Sequence, residues 1–203
     1  MPVLPLILAS SSPSRRKILY DVGIIPDQIL PADIDETPRK KEKFPQLVKR
    51  LAEEKCLKVA NECDNGIIIA ADTIVVCKGK LLEKASSSDD VKKYLQLSSS
   101  SRNQCITSIY LIKKENNIIT QFRKKSVKSI IKFKPLSEIE IEQYVASGEG
   151  IGKAGGIGIA GQASLFIKWI RGSVTGIMGL PICETKNLLE SLGYEYQGKQ
   201  LVK

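Results

Sequence analysis

Asp72 interrupts the most apolar segment of a 203-residue chain, GIIIAADTIVVCKGK at 66–80. Aspartate is disfavoured in strands, and a buried carboxylate is costly unless it is paired, hydrogen-bonded or bound to a metal. Two chemistries would justify it: oxygen ligation of a divalent cation, or general-base work. The alternative is an edge strand that turns Asp72 to water. The chain has no histidine, so acid–base and metal chemistry must rest on carboxylates, lysines, tyrosines or cysteines.

Three further stretches carry reactive groups. In LILASSSPSRRKIL (6–19), an apolar run ends in three serines, followed by Pro13 and Ser14-Arg15-Arg16-Lys17. This reads as strand, turn and helix, with Pro in the first turn. Cations at the positive end of a helix cost about 0.3–1 kcal/mol each. A bound polyphosphate would reverse that cost, because free N–H groups, serine hydroxyls and forked guanidiniums together bind phosphate. The alternative is a solvated serine-rich loop with basic residues beside it. Lys55 falls on a helical stripe with Val48, Ala52 and Val59, whereas Lys49, Arg50 and Glu53 can face solvent. Lys55 therefore snorkels outward or reaches into a cleft. Asp35-Glu36 in IDETP stands where a strand enters a loop, a place for ligands or for a simple acidic turn.

The elements that must position these residues alternate along the chain. Strands are expected at 3–9, 29–34, 66–77, 80–83, 106–112, 118–122 and 127–133, and in ASLFIKWI at 163–170. Helices are expected at 13–22, from Phe44 to about Cys63, at 88–97, from a capping box of Ser137 and Glu140 to about Ala146, and from Pro181 to near Gly193. No repeat, linker or composition break divides them, so the expectation is one α/β domain over 1–203.

Composition narrows the classes. The chain is 42% hydrophobic and 26% charged, as in an ordinary soluble protein, and no apolar run approaches the roughly 20 residues of a membrane span. The opening MPVLPLILASSS lacks a basic n-region and is broken by Pro2 and Pro5, so it reads as a first strand rather than a signal peptide. Five cysteines are scattered without a CxxC pair, which argues that most are small buried hydrophobes in a reducing cytosol rather than parts of a disulfide framework or zinc site. The net charge of +9 comes mostly from lysine runs such as RKKEK (39–43) and RKKSVK (123–128). Trp169 is expected to pack against the core.

Gly156, Gly158 and Gly161 spell GxGxxG. A dinucleotide fingerprint needs a strand before it and a helix after it. Here a helix precedes and a strand-like segment follows, so the Rossmann reading is rejected. The glycines instead allow close backbone approach to a ligand or a flexible turn.

As an ordered set, LASSSPSRR (8–16), IDETP (34–38), LAEEK (51–55), AADT (70–73), LLEK (81–84), GKAGGIGIAG (152–161) and GSVTGIMGLP (172–181) resemble the Maf-like nucleotide pyrophosphatases over essentially the whole chain. The resemblance implies an elongated, two-lobed, inosine-triphosphatase-like α/β fold. It would have a twisted mixed sheet flanked by helices and a cleft between the lobes. It implies cytoplasmic hydrolysis of a nucleoside triphosphate to the monophosphate and pyrophosphate with Mg²⁺ or Mn²⁺, clearing unwanted or modified nucleotides, with a weaker link to septum formation and cell-division arrest. Carried over by position, Ser12 and Arg15 match the phosphate-binding turn, Glu36 the acidic loop residue, and Lys55 the helix lysine. Asp72 matches the catalytic aspartate, with Thr73 beside it, and Lys84 the lysine after the hairpin; because hard cations prefer oxygen ligands, Glu36 and Asp72 are the expected metal ligands.

Ser14, Thr73 and Ala160 hold the three positions that select the base. The subgroup acting on thymidine and uridine triphosphates has Arg, Thr and Gln there, so only Thr73 agrees. The subgroup acting on 7-methylguanosine triphosphate usually has Gln at the position of Thr73. A permissive or shifted base preference is therefore expected.

Two rival functions accompany this reading. One is a non-catalytic nucleotide-binding regulator of septum formation. The other is a basic nucleic-acid-binding module, disfavoured by 5% aromatic content and the lack of one basic helix face. No stable nucleic-acid or membrane partner is expected, and a homodimer is an assembly the sequence allows.

Overall fold

The computed structural model describes residues 4–196. In chain order the elements are β1 (Leu6–Leu8), α1 (Pro13–Asp21), β2 (Gln28–Ile29), α2 (Phe44–Ala60), β3 (Gly66–Cys77), β4 (Lys80–Leu82), α3 (Ser88–Ser98), β5 (Arg102–Glu115), β6 (Ile118–Phe133), α4 (Glu138–Ala146), a 3-10 turn (Gln162–Phe166), β7 (Ile167–Arg171), α5 (Val174–Ile177) and α6 (Ile182–Glu190). Helices flank a mixed seven-stranded sheet of order β2-β1-β3-β5-β6-β7, with β4 paired to β3. β1 runs parallel to β2 and β3, whereas β4 is antiparallel to β3 and β7 to β6. Among the described residues no helix is long and apolar enough to cross a membrane.

The chain packs as two compact units. The first takes the described residues of Met1–Asp72, Thr107–Ser126 and Gly179–Lys203; the second takes Thr73–Ile106 and Val127–Met178. In the first, alternate residues of three strands (Ile7 and Ala9, Ile68 and Ala70, Tyr110 and Ile112) meet Ala52, Cys56, Val59 and Ala60 of α2. Period two on the sheet thus meets period 3.6 on the helix. The intervening Leu6, Leu8, Ile67, Ile69 and Leu111 are buried as well, so these strands are covered on both faces, as the parallel pair β1 and β3 requires. Full burial of one such Ile contributes about 1.5–3 kcal/mol. Two residues beyond Ile112, buried Lys114 donates to the Ala60 carbonyl at 2.7 Å. A cation thus closes the negative end of α2.

In the second unit, Val91 and Leu95 of α3 pack with Ile131 and Phe133 of β6, Ile141 and Tyr144 of α4, and Ala163 and Phe166 of the 3-10 turn. The Tyr144 and Phe166 rings meet edge to face, with centroids 5.6 Å apart. Ser137 and Glu140 form the expected capping box, and Ser87 with Asp90 forms a second one at α3.

Several element boundaries differ from the sequence reading. Residue 3 of the first expected strand lies outside the described residues. The strand expected at 29–34 is reduced to Gln28–Ile29. Leu30 still donates to Leu8 O, but Pro31 has no N–H to continue the ladder. The strands expected at 118–122 and 127–133 are one strand, because the charged run between them projects into solvent without breaking it. Asn116 and Asn117 make the reversal from β5 with φ of 51° and 63°, the left-handed pair of a two-residue hairpin. The first half of ASLFIKWI is the 3-10 turn. Trp169 is 41% exposed, contrary to the core position expected of it. It lies on the half-exposed β7, where Arg102 covers its ring at 5.6 Å.

Candidate functional site

The alternation that places Ile68 and Ala70 against α2 carries Asp72 to the same face two residues later. From α2, Lys55 lies one turn from both Ala52 and Val59 and shares their inward stripe. The two side chains meet, with Lys55 Nζ 2.6 Å from Asp72 Oδ1. Both residues are 6% exposed. Asp72 is thus not a solvated edge residue, and Lys55 does not snorkel. The same ammonium reaches Glu36 Oε1 at 2.7 Å, so one lysine bridges two carboxylates.

Arg15 approaches the same charges from α1. Ser12 is the N-cap, its Oγ accepting from Arg15 N at 3.5 Å. The Arg15 side chain turns back, donating through Nη1 to Ser10 Oγ at 3.1 Å and through Nε to the Gly179 carbonyl at 2.9 Å. Burial lowers the Arg15 pKa, while the charges of Asp72 and Glu36 oppose that shift. Those carboxylates offset the unfavourable placement of a cation at a helix N-terminus. Lys17 is neutralised separately by Asp21 at 2.8 Å, and Ser14 and Arg16 are exposed. Burial pushes the Asp72 carboxyl above its ordinary value; Lys55 and Arg15 pull it back, and Glu36 adds to the rise.

The loop that carries Glu36 is tied down on either side. Asp35 Oδ1 accepts from Thr37 N at 2.9 Å, an Asx turn. Arg50 of α2 grips Glu42 through two bonds of 2.8 and 2.9 Å, donates to the Thr37 carbonyl at 3.1 Å, and reaches Glu54 at 2.9 Å. Hydrogen bonds from Arg50 and from Arg39 N hold Glu42 down at about 2. Arg50, read from sequence as a solvent-facing residue, instead fastens the 35–43 loop to α2.

The donor set fits a hard divalent cation. Glu36 and Asp72 already point oxygens at one positive centre, and Mg²⁺ commonly takes one or two carboxylates and completes its shell with phosphate oxygens and water. Among the described residues no cluster of three or more His, Cys, Asp or Glu side chains surrounds a common point, so the protein's share would be these two. A cation there would compete with the Lys55 ammonium for the same oxygens.

Thr73, Lys84 and Ala160 belong to the second unit. Lys84 is exposed and pairs by a β-bridge with Ala154. Ala85 N donates to Lys153 O at 3.1 Å, and Gly155 N to Glu83 O at 2.9 Å. LLEK and the glycine loop are thereby stitched together. Thr73 is half-buried and Ala160 exposed.

The structure therefore brings Arg15, Glu36, Lys55 and Asp72 together, and separately joins Lys84 to the glycine loop. Sequence reasoning missed Ser10, Gly179 and Arg50. Ser10 looked like one of three equivalent serines, and the Gly179 carbonyl leaves no trace in a residue type. Arg50 did carry a signal, since arginine is scarce here and two glutamates lie within reach in sequence.

A family model described as Maf-like protein matches residues 5–192. A protein of Rickettsia felis is 48% identical over 193 residues, covering 95% of each chain. One of Rickettsia typhi is 50% identical over 194 residues, covering 95% of this chain and 85% of its own. Both relatives carry the name nucleoside triphosphate pyrophosphatase.

Proposed function

The chain belongs to the Maf-like protein family, and from that premise we propose that it is a nucleoside triphosphate pyrophosphatase acting as one catalytic domain. Water attacks the α-phosphorus, the bond to the bridging oxygen breaks, and the monophosphate and pyrophosphate leave. The observation that carries the reading is the buried Lys55 ammonium held between Glu36 and Asp72, with the Arg15 guanidinium in the field of both carboxylates.

Asp72 orients the attacking water and accepts its proton, and its raised pKa makes it a stronger base than an ordinary aspartate. Arg15 and Lys55 offset charge as it builds on the phosphate oxygens. Ser10 and Gly179 fix the direction of the guanidinium before substrate arrives. Ser12, capping α1, presents the N–H groups of the first turn. Glu36 and Asp72 would hold Mg²⁺ or Mn²⁺, which when bound supplies Lewis-acid neutralisation of the phosphate oxygens. Ser14, Thr73 and Ala160 are small, so the base preference is permissive or shifted from that of thymidine and uridine triphosphates.

Pyrophosphate release from a panel of purine and pyrimidine triphosphates tests the reading. Turnover of several triphosphates is expected, as is a loss of about 10²–10⁴-fold in Asp72→Asn with the fold intact by circular dichroism. Absence of release with every triphosphate, or near-normal release by Asp72→Asn, refutes it. Strong discrimination in favour of thymidine triphosphate refutes the base preference alone.

A further inference from the structure

Two of the three glycines that imitate a dinucleotide fingerprint, Gly158 and Gly161, share a different physical cause, whereas Gly156 sits at φ 66°. Glu149 follows α4 and sends its carboxylate back into the loop. Its Oε2 accepts from Gln162 N at 2.7 Å, and its Oε1 accepts from Ala163 N at 3.5 Å and from the Tyr144 hydroxyl at 3.3 Å. The Tyr144 hydroxyl in turn accepts from Gly158 N at 3.1 Å. A side chain at Gly161 would place Cβ 2.4 Å from Glu149 Oε2, and one at Gly158 would place it 2.6 Å from Oε1. Neither contact leaves room for a methyl group. Neither glycine has the positive φ that would demand glycine for backbone reasons. A side chain at either position would have to displace the Glu149 carboxylate.

We infer that Glu149 is the internal anion of this loop and the positioning residue that sets the base-selecting segment 158–161. In a dinucleotide fold N–H groups of such a loop receive a phosphate; here those of Gln162 and Ala163, just past the third glycine, donate to Glu149, and that of Gly158 donates to Tyr144. Ala160, at the proposed base-selecting position, carries only a methyl group. Any hydrogen bond made to a base from this segment must come from its main chain. Those main-chain groups stay in place through Glu149 on one side and the Glu149-linked Tyr144 on the other. Lys153 Nζ donates to the Glu149 carbonyl, so the residue is gripped at backbone and side chain together. The inference rests on the proposed reaction for its kinetic meaning, but the anchor itself does not.

The test uses the full-length protein with Glu149→Ala, Glu149→Gln, Gly161→Ala and the Glu149→Ala/Gly161→Ala double variant. In Glu149→Ala the KM for triphosphate is expected to rise about tenfold, the factor of about 1.4 kcal/mol of lost ordering, while kcat changes less than about threefold. Glu149→Gln keeps an acceptor for Gln162 N–H and should restore most of the loss. Gly161→Ala should evict the carboxylate and reproduce the rise, yet add less than about twofold in the double variant, because the contact it breaks is already gone.

An unchanged KM in folded Glu149→Ala, no rescue by Gln, or full additivity in the double variant would overturn the inference. Hydrogen exchange at Gly158 and Gln162, protected in the parent and released in Glu149→Ala and Gly161→Ala, tests the anchor without activity; unchanged protection overturns it. If Glu149→Ala does not fold, Gly161→Ala and Glu149→Gln carry the same readouts. A parent protein that releases no pyrophosphate would refute the proposed reaction, whereas an active parent indifferent to Glu149 would refute this inference alone.

Discussion

Replacing Lys55 by Met tests the electrostatic core of the site without reference to catalysis. The ammonium lies 2.6 Å from Asp72 and 2.7 Å from Glu36, and the Lys55 and Asp72 side chains are each 8% exposed. Methionine matches the stem but leaves an ionised Asp72 buried beside a second carboxylate. Breaking a buried pair in this way costs about 3–5 kcal/mol. The Glu36 share adds at most about 1 kcal/mol, since that side chain is 45% exposed and screened by water. At about 2–4 °C per kcal/mol for a chain of this size, the melting temperature at pH 8 should fall by about 6–24 °C.

The pH dependence has a definite sign. The folded pKa of Asp72 already lies above its ordinary value, and loss of Lys55 raises it further. A raised carboxylate pKa means that ionisation opposes folding. That penalty is absent below the unfolded pKa and complete above the folded one. The deficit of Lys55→Met should therefore shrink as pH falls toward 5, and Lys55→Met/Asp72→Asn should recover most of it at pH 8. Thermal melts followed by circular dichroism at several pH values measure this. Melting temperatures equal to the parent throughout, or a deficit that grows on acidification, would refute the reasoning.

Three other outcomes are expected. The acid limb of the kcat/KM profile should fall through a pKa above about 3.9, because Asp72 must be ionised to act and burial raises it; an inflection at or below that value would contradict the assignment. Arg15→Ala should lower kcat/KM about 10²–10³-fold, the scale for removal of one preorganised donor, and Arg15→Lys should not restore it, since a point charge cannot bridge Ser10 Oγ and the Gly179 carbonyl as a planar fork does. Phe133→Ala removes a fully buried ring from the second unit and should cost about 3–5 kcal/mol, read as a lower denaturation midpoint in urea.

The helical and strand periodicities, the cap at Ser137 and the oddity of Asp72 and Lys55 were legible in the sequence because each is a local contradiction or a local repeat. A carboxylate inside GIIIAADTIVVC and a lysine on an apolar stripe declare that something pairs with them, whatever the fold. They do not declare that they pair with each other. That follows only when β3 lies against α2 with Ile68 and Ala70 on Ala52 and Cys56, which brings residues 17 apart in sequence to 2.6 Å. The roles of the Gly179 carbonyl, 164 residues from Arg15, and of Arg50 as the latch of the Glu36 loop are likewise decided by packing.

The glycine loop shows the division most clearly. Its spacing matched a phosphate motif, and the strand expected directly after it argued against that motif, although a 3-10 turn comes first. Yet the occupant of the loop could not be read from any spacing, since Glu149 lies outside the pattern. Residue types set which groups are costly to bury and which segments repeat, and so determine that this chain forms an α/β sheet with displaced charges. Which charge answers which depends on distances across the fold, and those exist only once the backbone has closed.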